Sequence, residues 1–250
     1  MGVRKLYEKL QPFLLENQIK MGRDALFNLL SDNGLLVRKK RRRISTTMSY
    51  HRYHKWPNLI KGFTATAPDQ LYVSDITYWR TGRGFLFISL VTDAFSRKIV
   101  GYHVANTLET IASRRALEMA LKNLKNPPEG LIHHSDRGIQ YCSGEYVKVL
   151  QKNGVKISMT ESSEPTDNAI AERVNGILKD EYLRYHQVKT LKEAKRILEH
   201  SIQLYNGDRP HLSIGMLTPE LVHQTNIKSD RLWKTYYKKR NIELVPQNKV

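Results

Sequence analysis

Three acidic residues stand out by position. Asp75 sits in a β-forming run, LYVSDITYW, Asp136 follows the apolar segment LIHHS, and Glu172 comes early in a helical stretch with thirty-five residues between it and Asp136. A carboxylate at the mouth of a core strand is costly unless a cation meets it. Three carboxylates gathered together repel, and one or more would stay protonated. Divalent ions remove that conflict. Phosphodiester hydrolysis or transfer requires a nucleophile, a neutralised phosphoryl group and a stabilised leaving oxygen, and two ions about 3.5–4 Å apart supply all three. Mg²⁺ prefers oxygen ligands and keeps several waters. The expectation is therefore a pair of Mg²⁺ or Mn²⁺ ions on Asp75, Asp136 and Glu172. The bland alternative is three unrelated acids, each solvated or salt-bridged.

The elements around these acids can be read from periodicity. QLYVSDITYW (70–79), FLFISLVTD (85–93) and KIVGYHV (98–104) read as three strands joined by turns, the middle one apolar enough to be buried on both faces. A helix over about 109–125, a strand at 131–135, a helix at 143–153 and a strand at 155–159 follow. A long helix is expected over about 168–186 and another over 190–205. This order predicts an α/β fold with a mixed five-stranded sheet, antiparallel first and crossing over later, with the fourth strand beside the first. On the long helix, Glu172, Asn175 and Lys179 fall at i, i+3 and i+7 on one face, while Ile170, Val174, Ile177 and Leu178 can pack on the sheet. Lys179 then lies ~10 Å along the axis from Glu172, in place to hold a phosphate. Gly176 costs ~1 kcal/mol against alanine in mid-helix; close approach of a strand or DNA would account for it.

The charge points to a polyanion. Lysine and arginine number 41 against 24 acids in 250 residues, a net of +17, and nucleic acid is the expected partner. No apolar run suits a membrane span, the N-terminus lacks a signal-peptide pattern, and the single cysteine, Cys142, cannot pair within the chain. A cytoplasmic, nucleoid-associated protein is expected. Residues 1–43 read as a small helical, helix-turn-helix-like DNA-binding region, with helices over about 3–15 and from an Asp24 cap to Asn33-Gly34; Pro12 should weaken the first. It ends in Arg38, Lys39, Lys40, Arg41, Arg42 and Arg43, a phosphate-binding run. Residues 44–68 read as a basic and aromatic linker, 69–222 as the core and 223–250 as a basic tail.

The stretches VSDITYW (73–79), VTDAFSRKIVGYHV (91–104), HHSDRGIQY (133–141), DNAIAERVNGILKDEYL (167–183) and YNGDRPHLSIGMLTPE (205–220) together resemble the DDE transposases of bacterial insertion sequences. The similarity is to the integrase-like second-frame (OrfB) protein of the third insertion-sequence group, with retroviral integrases as more distant relatives. The resemblance implies a ribonuclease H-like core that cleaves element-end DNA and transfers the strand. It places Asp75, Asp136 and Glu172 as the metal triad and Lys179 as the following basic residue. His134, Arg137, Gln140 and Asn168 fall inside the motifs, in reach of DNA or as plain structural support. Arg209, Pro210 and His211 match a motif whose role the residues do not reveal. Where many members carry Ser-Phe-Phe after the glutamate, this chain has Arg173-Val174-Asn175. No leucine-zipper heptads are visible, which implies a first-frame (OrfA) partner or fusion beside a homo-oligomer on DNA. Two rivals remain at this point: a nuclease on the same fold without strand transfer, and a catalytically silent DNA-binding regulator.

Overall fold

The computed structural model describes residues 2–36, 52–82, 84–124, 130–161 and 168–228. The basic run 38–43 and tail positions 229–250 lie outside them. Strands β1 (Leu71–Thr81), β2 (Gly84–Asp93) and β3 (Ile99–Ala105) form an antiparallel meander, and β4 (Ile132–Ser135) and β5 (Lys156–Met159) add in parallel, giving the order β3-β2-β1-β4-β5. This is the expected mixed sheet. The first hairpin is tighter than the turn expected over 80–84, because pairing continues to Thr81 opposite Gly84.

Strand alternation sends side chains to two cores. Trp79, Leu86, Ile88 and Leu90 face Val174, Ile177 and Leu178 of α6 (Ala169–Ile177) and its continuation, and Leu198, Ile202 and Tyr205 of α7 (Leu191–Gly207). Tyr72 and Val91 face α3 (Thr110–Lys122) and α5 (Gly144–Lys152) on the other side. Both faces of β2 are thus covered, which explains its unbroken apolar run. Gly101 of β3 lets α3 approach closely: a Cβ there would lie 2.9 Å from Ala120 Cβ and would strike the Ala116 carbonyl.

Several helices depart from expectation. The segment after β4 begins with a short α4 (Ile139–Cys142), and Ser143 then caps α5 by accepting from Tyr146 N. The long helix is not α-helical throughout: α6 gives way at Leu178–Leu183 to a π-helical turn. Near the N-terminus, α1 (Val3–Glu16) runs past Pro12, and α2 (Arg23–Asp32) is capped by Gly22, with Asp24 in its first turn instead of at the cap. The helix α8 (Pro219–Thr225) crosses position 222, where the core was expected to end, and its Val222 is buried. Residues 52–70 have no regular structure yet lie against the core. Met159 N donates to Pro57 O, Leu59 N donates to Ser158 Oγ, and Trp56 and Ile60 pack against buried clusters. No helix among the described residues is long and apolar enough to cross a membrane.

Candidate active site

Sheet register brings the two aspartates together. Ser74 of β1 pairs with Ser135 of β4 in parallel, so the residues that follow, Asp75 within β1 and Asp136 just past the end of β4, lie side by side. Neighbouring strands are about 4.8 Å apart, and the carboxyl ends of parallel strands are where open α/β sheets place their sites. Beneath them the strands are tied by a buried polar group: His133 Nε2 lies 2.8 Å from Ser74 Oγ and 2.9 Å from Tyr146 OH. Burial lowers the His133 pKa to about 3, so the ring stays neutral.

Each aspartate is oriented by the backbone or by α6. Asp75 Oδ1 accepts from Ile76 N at 2.8 Å and its Oδ2 accepts from Asn175 Nδ2 at 2.7 Å. Asp136 Oδ1 accepts from Gly138 N at 3.0 Å. Glu172 stands exposed one turn before Asn175, on the face that periodicity assigned to both. The charges are in mutual reach. Burial and then the Asp136 charge push Asp75 up to about 7, with Glu172 adding to the rise. Burial also raises Asp136, and partial burial followed by the Asp136 charge raises Glu172.

Around the acids sit buried polar atoms with no hydrogen-bond partner among the described residues: Asn168 Oδ1, Asn175 Oδ1 and the Tyr141 hydroxyl. Tyr141 is close enough for Asp75 and Asp136 to help raise its pKa, after burial itself. Tyr141 and the Asn175–Asp75 bond were not singled out from sequence. Asn175 carried a signal, its spacing from Glu172; Tyr141 carried none beyond membership of HHSDRGIQY.

The other expected residues divide clearly. Lys179 Nζ lies 5.0 Å from the centre of the Tyr78 ring, a cation–π distance. Arg137 is half-buried next to Asp136. Asn168 is buried and its Nδ2 donates to Ser74 O, tying the start of α6 to β1. His134 is fully buried with Nδ1 2.8 Å from Ser158 Oγ, and Gln140 Nε2 donates to Leu108 O, so both serve as internal ties. Gly176 meets no protein atom within 4 Å of a Cβ placed on it, so close approach of a strand is not its reason. Cys142 is buried against Met159 and burial pushes its pKa to about 11, as suits an inert thiol.

One ligand-like group was not foreseen. Among the described residues, Asp69, Asp93 and His223 bring ligand atoms within 4.8 Å of one another, and the three expected acids do not form such a set. Asp69 lies in the turn before β1, whereas Asp75 is four steps into the strand, about 13 Å beyond Leu71. Three of the four carboxylate oxygens of Asp69 and Asp93 are engaged by protein donors. Tyr72 OH donates to Asp69 Oδ1, Asp69 N donates to Asp93 Oδ2, and Ser96 N and Oγ donate to Asp93 Oδ1. This clasp holds the β2–β3 turn.

The expected acids fit divalent ions on chemistry. All donors are carboxylate oxygens, the ligand class Mg²⁺ and Mn²⁺ prefer. Their raised pKa values record burial and repulsion that a cation would relieve. The unpartnered Asn168 and Asn175 oxygens can accept from bound water. An ion pair about 3.5–4 Å apart also spreads its ligands wider than a single coordination sphere.

Gly138 offers a test of this geometry. Its φ of -62 and ψ of 143 suit any residue, but a Cβ would lie 2.9 Å from Asp136 Oδ1. Gly138→Ala should therefore turn the Asp136 carboxylate while leaving the fold intact. The expected result is a loss of about 10²-fold in strand cleavage, the scale of an ångström-sized misplacement, with an unchanged melting midpoint. Full activity would show that Asp136 need not hold its observed orientation.

Comparison with known proteins gives the class. Two integrase core domain families match, over residues 65–165 and 153–219. A chain of the simian T-cell lymphotropic virus intasome superposes with a TM-score of 0.54 over 96% of this chain and 79% of that one, at 16% identity. The HTLV-2 integrase catalytic core domain, solved in complex with magnesium, gives 0.50 over 63% of this chain and 97% of its own, at 17% identity. The sheet is thus that of a ribonuclease H-like integrase core. The chain is 37% identical over 213 residues to the uncharacterized 31 kDa protein of insertion element IS600 from Shigella sonnei, with 84% of this chain and 78% of that one aligned. It is 31% identical to the IS629 transposase of Shigella sonnei, over 92% and 77% of the two chains. Identity to the putative IS986/IS6110 transposase of Mycobacterium tuberculosis is 33%, over 87% and 79%. The chain belongs to the transposases of bacterial insertion sequences, as its motifs indicated, and is a DNA transposase.

Proposed function

We propose that this transposase cuts and joins DNA at a single centre in which Asp75, Asp136 and Glu172 hold two divalent ions, Mg²⁺ or Mn²⁺. The observation that carries the reading is the register that sets Asp75 beside Asp136, with Asn175 tying Asp75 to the helix that bears Glu172. The ions would supply charge neutralisation at the phosphoryl group, activation of the attacking oxygen and stabilisation of the leaving one. The chain's own part is to hold and orient. Asn175 and Ile76 N fix the Asp75 oxygens, and Gly138 N fixes Asp136. Lys179 holds a backbone phosphate beside the centre. Arg137 and the run Arg38, Lys39, Lys40, Arg41, Arg42 and Arg43 contact DNA, whereas Asn168, expected to do so, is buried and braces the start of α6 against β1.

In this reading water attacks a phosphodiester at the element end and the strand breaks with a free 3′-OH. That hydroxyl then attacks a phosphodiester of target DNA, forming the new joint and displacing another 3′-OH. No covalent protein–DNA bond is needed. The division into a helical region (1–43), linker (44–68), core (69–222) and tail (223–250) places basic segments on both sides of the core. The protein would work as a homo-oligomer on DNA in the bacterial nucleoid, with a first-frame partner or fusion contributing end recognition.

The deciding assay incubates the protein with element-end duplex and a target plasmid, with and without Mg²⁺. Joined products that need Mg²⁺ are expected from the parent and should fall by about 10³-fold with Asp136→Asn, the scale of losing one charge-stabilising group. A folded Asp136→Asn protein that joins strands as well as the parent removes this mechanism. Cleavage without joining would make the protein a nuclease, and binding without cleavage a silent regulator.

A further inference from the structure

The segment YNGDRPH, residues 205–211, is unused in the mechanism above, yet it contains the largest fully buried side chain described, Arg209. Its guanidinium grips Glu181 in two prongs: Nε donates to Oε2 at 2.9 Å and Nη2 donates to Oε1 at 2.8 Å. Nη1 donates to His211 Nε2 at 3.2 Å. Burial and the neighbouring Arg209 charge push the His211 pKa down to about 2, so this ring is a neutral acceptor. Burial alone would raise Glu181, but the Arg209 hydrogen bonds and charge hold it below its usual range.

The rest of the segment anchors this grip to the sheet. Asn206 Nδ2 donates to Ile99 O and its Oδ1 accepts from Ile99 N, while Tyr205 OH donates to Arg97 O. Arg209 is therefore attached to the β3 side of the core. Glu181 is attached to something else: the π-helical turn Leu178–Leu183, whose end residues Leu178 and Leu183 are fully buried. A π turn inside a helix is rare and is frequently found at functional sites. Two residues before Glu181, on the same turn, is Lys179. The N-terminal helix is tied nearby, where Lys9 Nζ donates to Asp208 Oδ2. Lys5 of α1 is buried, and its pKa is lowered to about 8 by burial first and by the Arg209 charge second.

We propose that the Arg209–Glu181 pair is a positioning clamp for the transposase: it fixes the π-helical turn and thereby the reach of Lys179 to the DNA backbone. A two-pronged guanidinium–carboxylate pair sets angle as well as distance. A lysine could keep the charge of Arg209 but not the fork. The clamp rests on the reading of Lys179 as a phosphate-holding residue.

The test uses the full chain and an element-end duplex without divalent ions, so that no turnover occurs, and reads DNA affinity against salt by fluorescence anisotropy. One neutralised phosphate contributes about 0.9 to the slope of log affinity against log salt. Lys179→Ala should lower the slope by about that amount. Glu181→Gln should lower it equally, and the double variant no further than either alone. A change in stability by itself would not move this slope. If Glu181→Gln does not fold, Arg209→Lys, which retains the buried charge, replaces it with the same expectation. A parental slope in the folded clamp variant, or additive losses in the double variant, overturns the clamp while leaving Lys179 in place. A parental slope in Lys179→Ala overturns the role of Lys179 and the clamp with it.

Discussion

Asp75→Asn should abolish strand cleavage, by about 10³-fold or more, and at the same time stabilise the metal-free protein at neutral pH. The two effects share one cause. Burial and the Asp136 charge raise Asp75 to about 7 in the fold, against an ordinary value of 3.8. Between those values the folded chain holds a proton that the unfolded chain has released. Stability of the parent therefore falls as pH rises from about 4 to about 7, and the full penalty applies above. An amide carries no charge and escapes it. It can still accept from Ile76 N, and Asn175 can turn its amide so that its buried, unpartnered Oδ1 meets the new NH₂. The expected gain at pH 8 is on the order of 2–4 kcal/mol, vanishing near pH 4, read by denaturant melts across pH with a chelator present. Added Mg²⁺ should stabilise the parent and not the variant. A variant no more stable than the parent at pH 8 would mean that the carboxylates are relaxed as they stand.

Gly101→Ala should be the most damaging single-methyl change in the core. The added Cβ would meet the Ala116 carbonyl and come within 3.0 Å of Ala120 N, both backbone atoms of α3. Backbone cannot step aside as a side-chain tip can. The helix must lift from β3, disturbing Val100, Ala116, Leu117 and Ala120, which share one buried cluster. Overpacking of this kind costs about 3 kcal/mol, which for a chain of this size lowers the melting midpoint by about 6–12 °C. Cleavage by the surviving folded fraction should be near normal, since the proposed site lies on β1, α6 and the residue after β4. A midpoint within 2 °C of the parent would show that α3 shifts freely.

Much of this was legible in the residues because it depends on local period. β2 announced itself by an apolar run that only a strand covered on both faces requires. Periodicity also placed the element that bears each expected acid, Asp75 within β1, Asp136 just past β4 and Glu172 early in α6, and it set Asn175 on the face of Glu172. What stayed hidden depends on contacts remote in sequence. The π turn at Leu178–Leu183 has no period of its own; Arg209 meets it from 28 positions away. The clasp of Asp69, Asp93 and His223 is closed by α8, more than a hundred residues downstream. Gly22 displaced Asp24 as the cap because the chain enters α2 two residues earlier than the side-chain preference suggests. Gly101 looked like any strand glycine until α3 was laid across it.

The attachment of Pro57 and Leu59 to β5 sets a leash. Fourteen residues lead from Arg43 to Pro57, and a stretched chain gains at most about 3.6 Å per residue. The last arginine of the basic run therefore cannot touch a phosphate farther than about 50 Å from that mooring, roughly fifteen base pairs of duplex. Any protection of DNA beyond that radius on the β5 side must come from another part of the chain or from a second subunit.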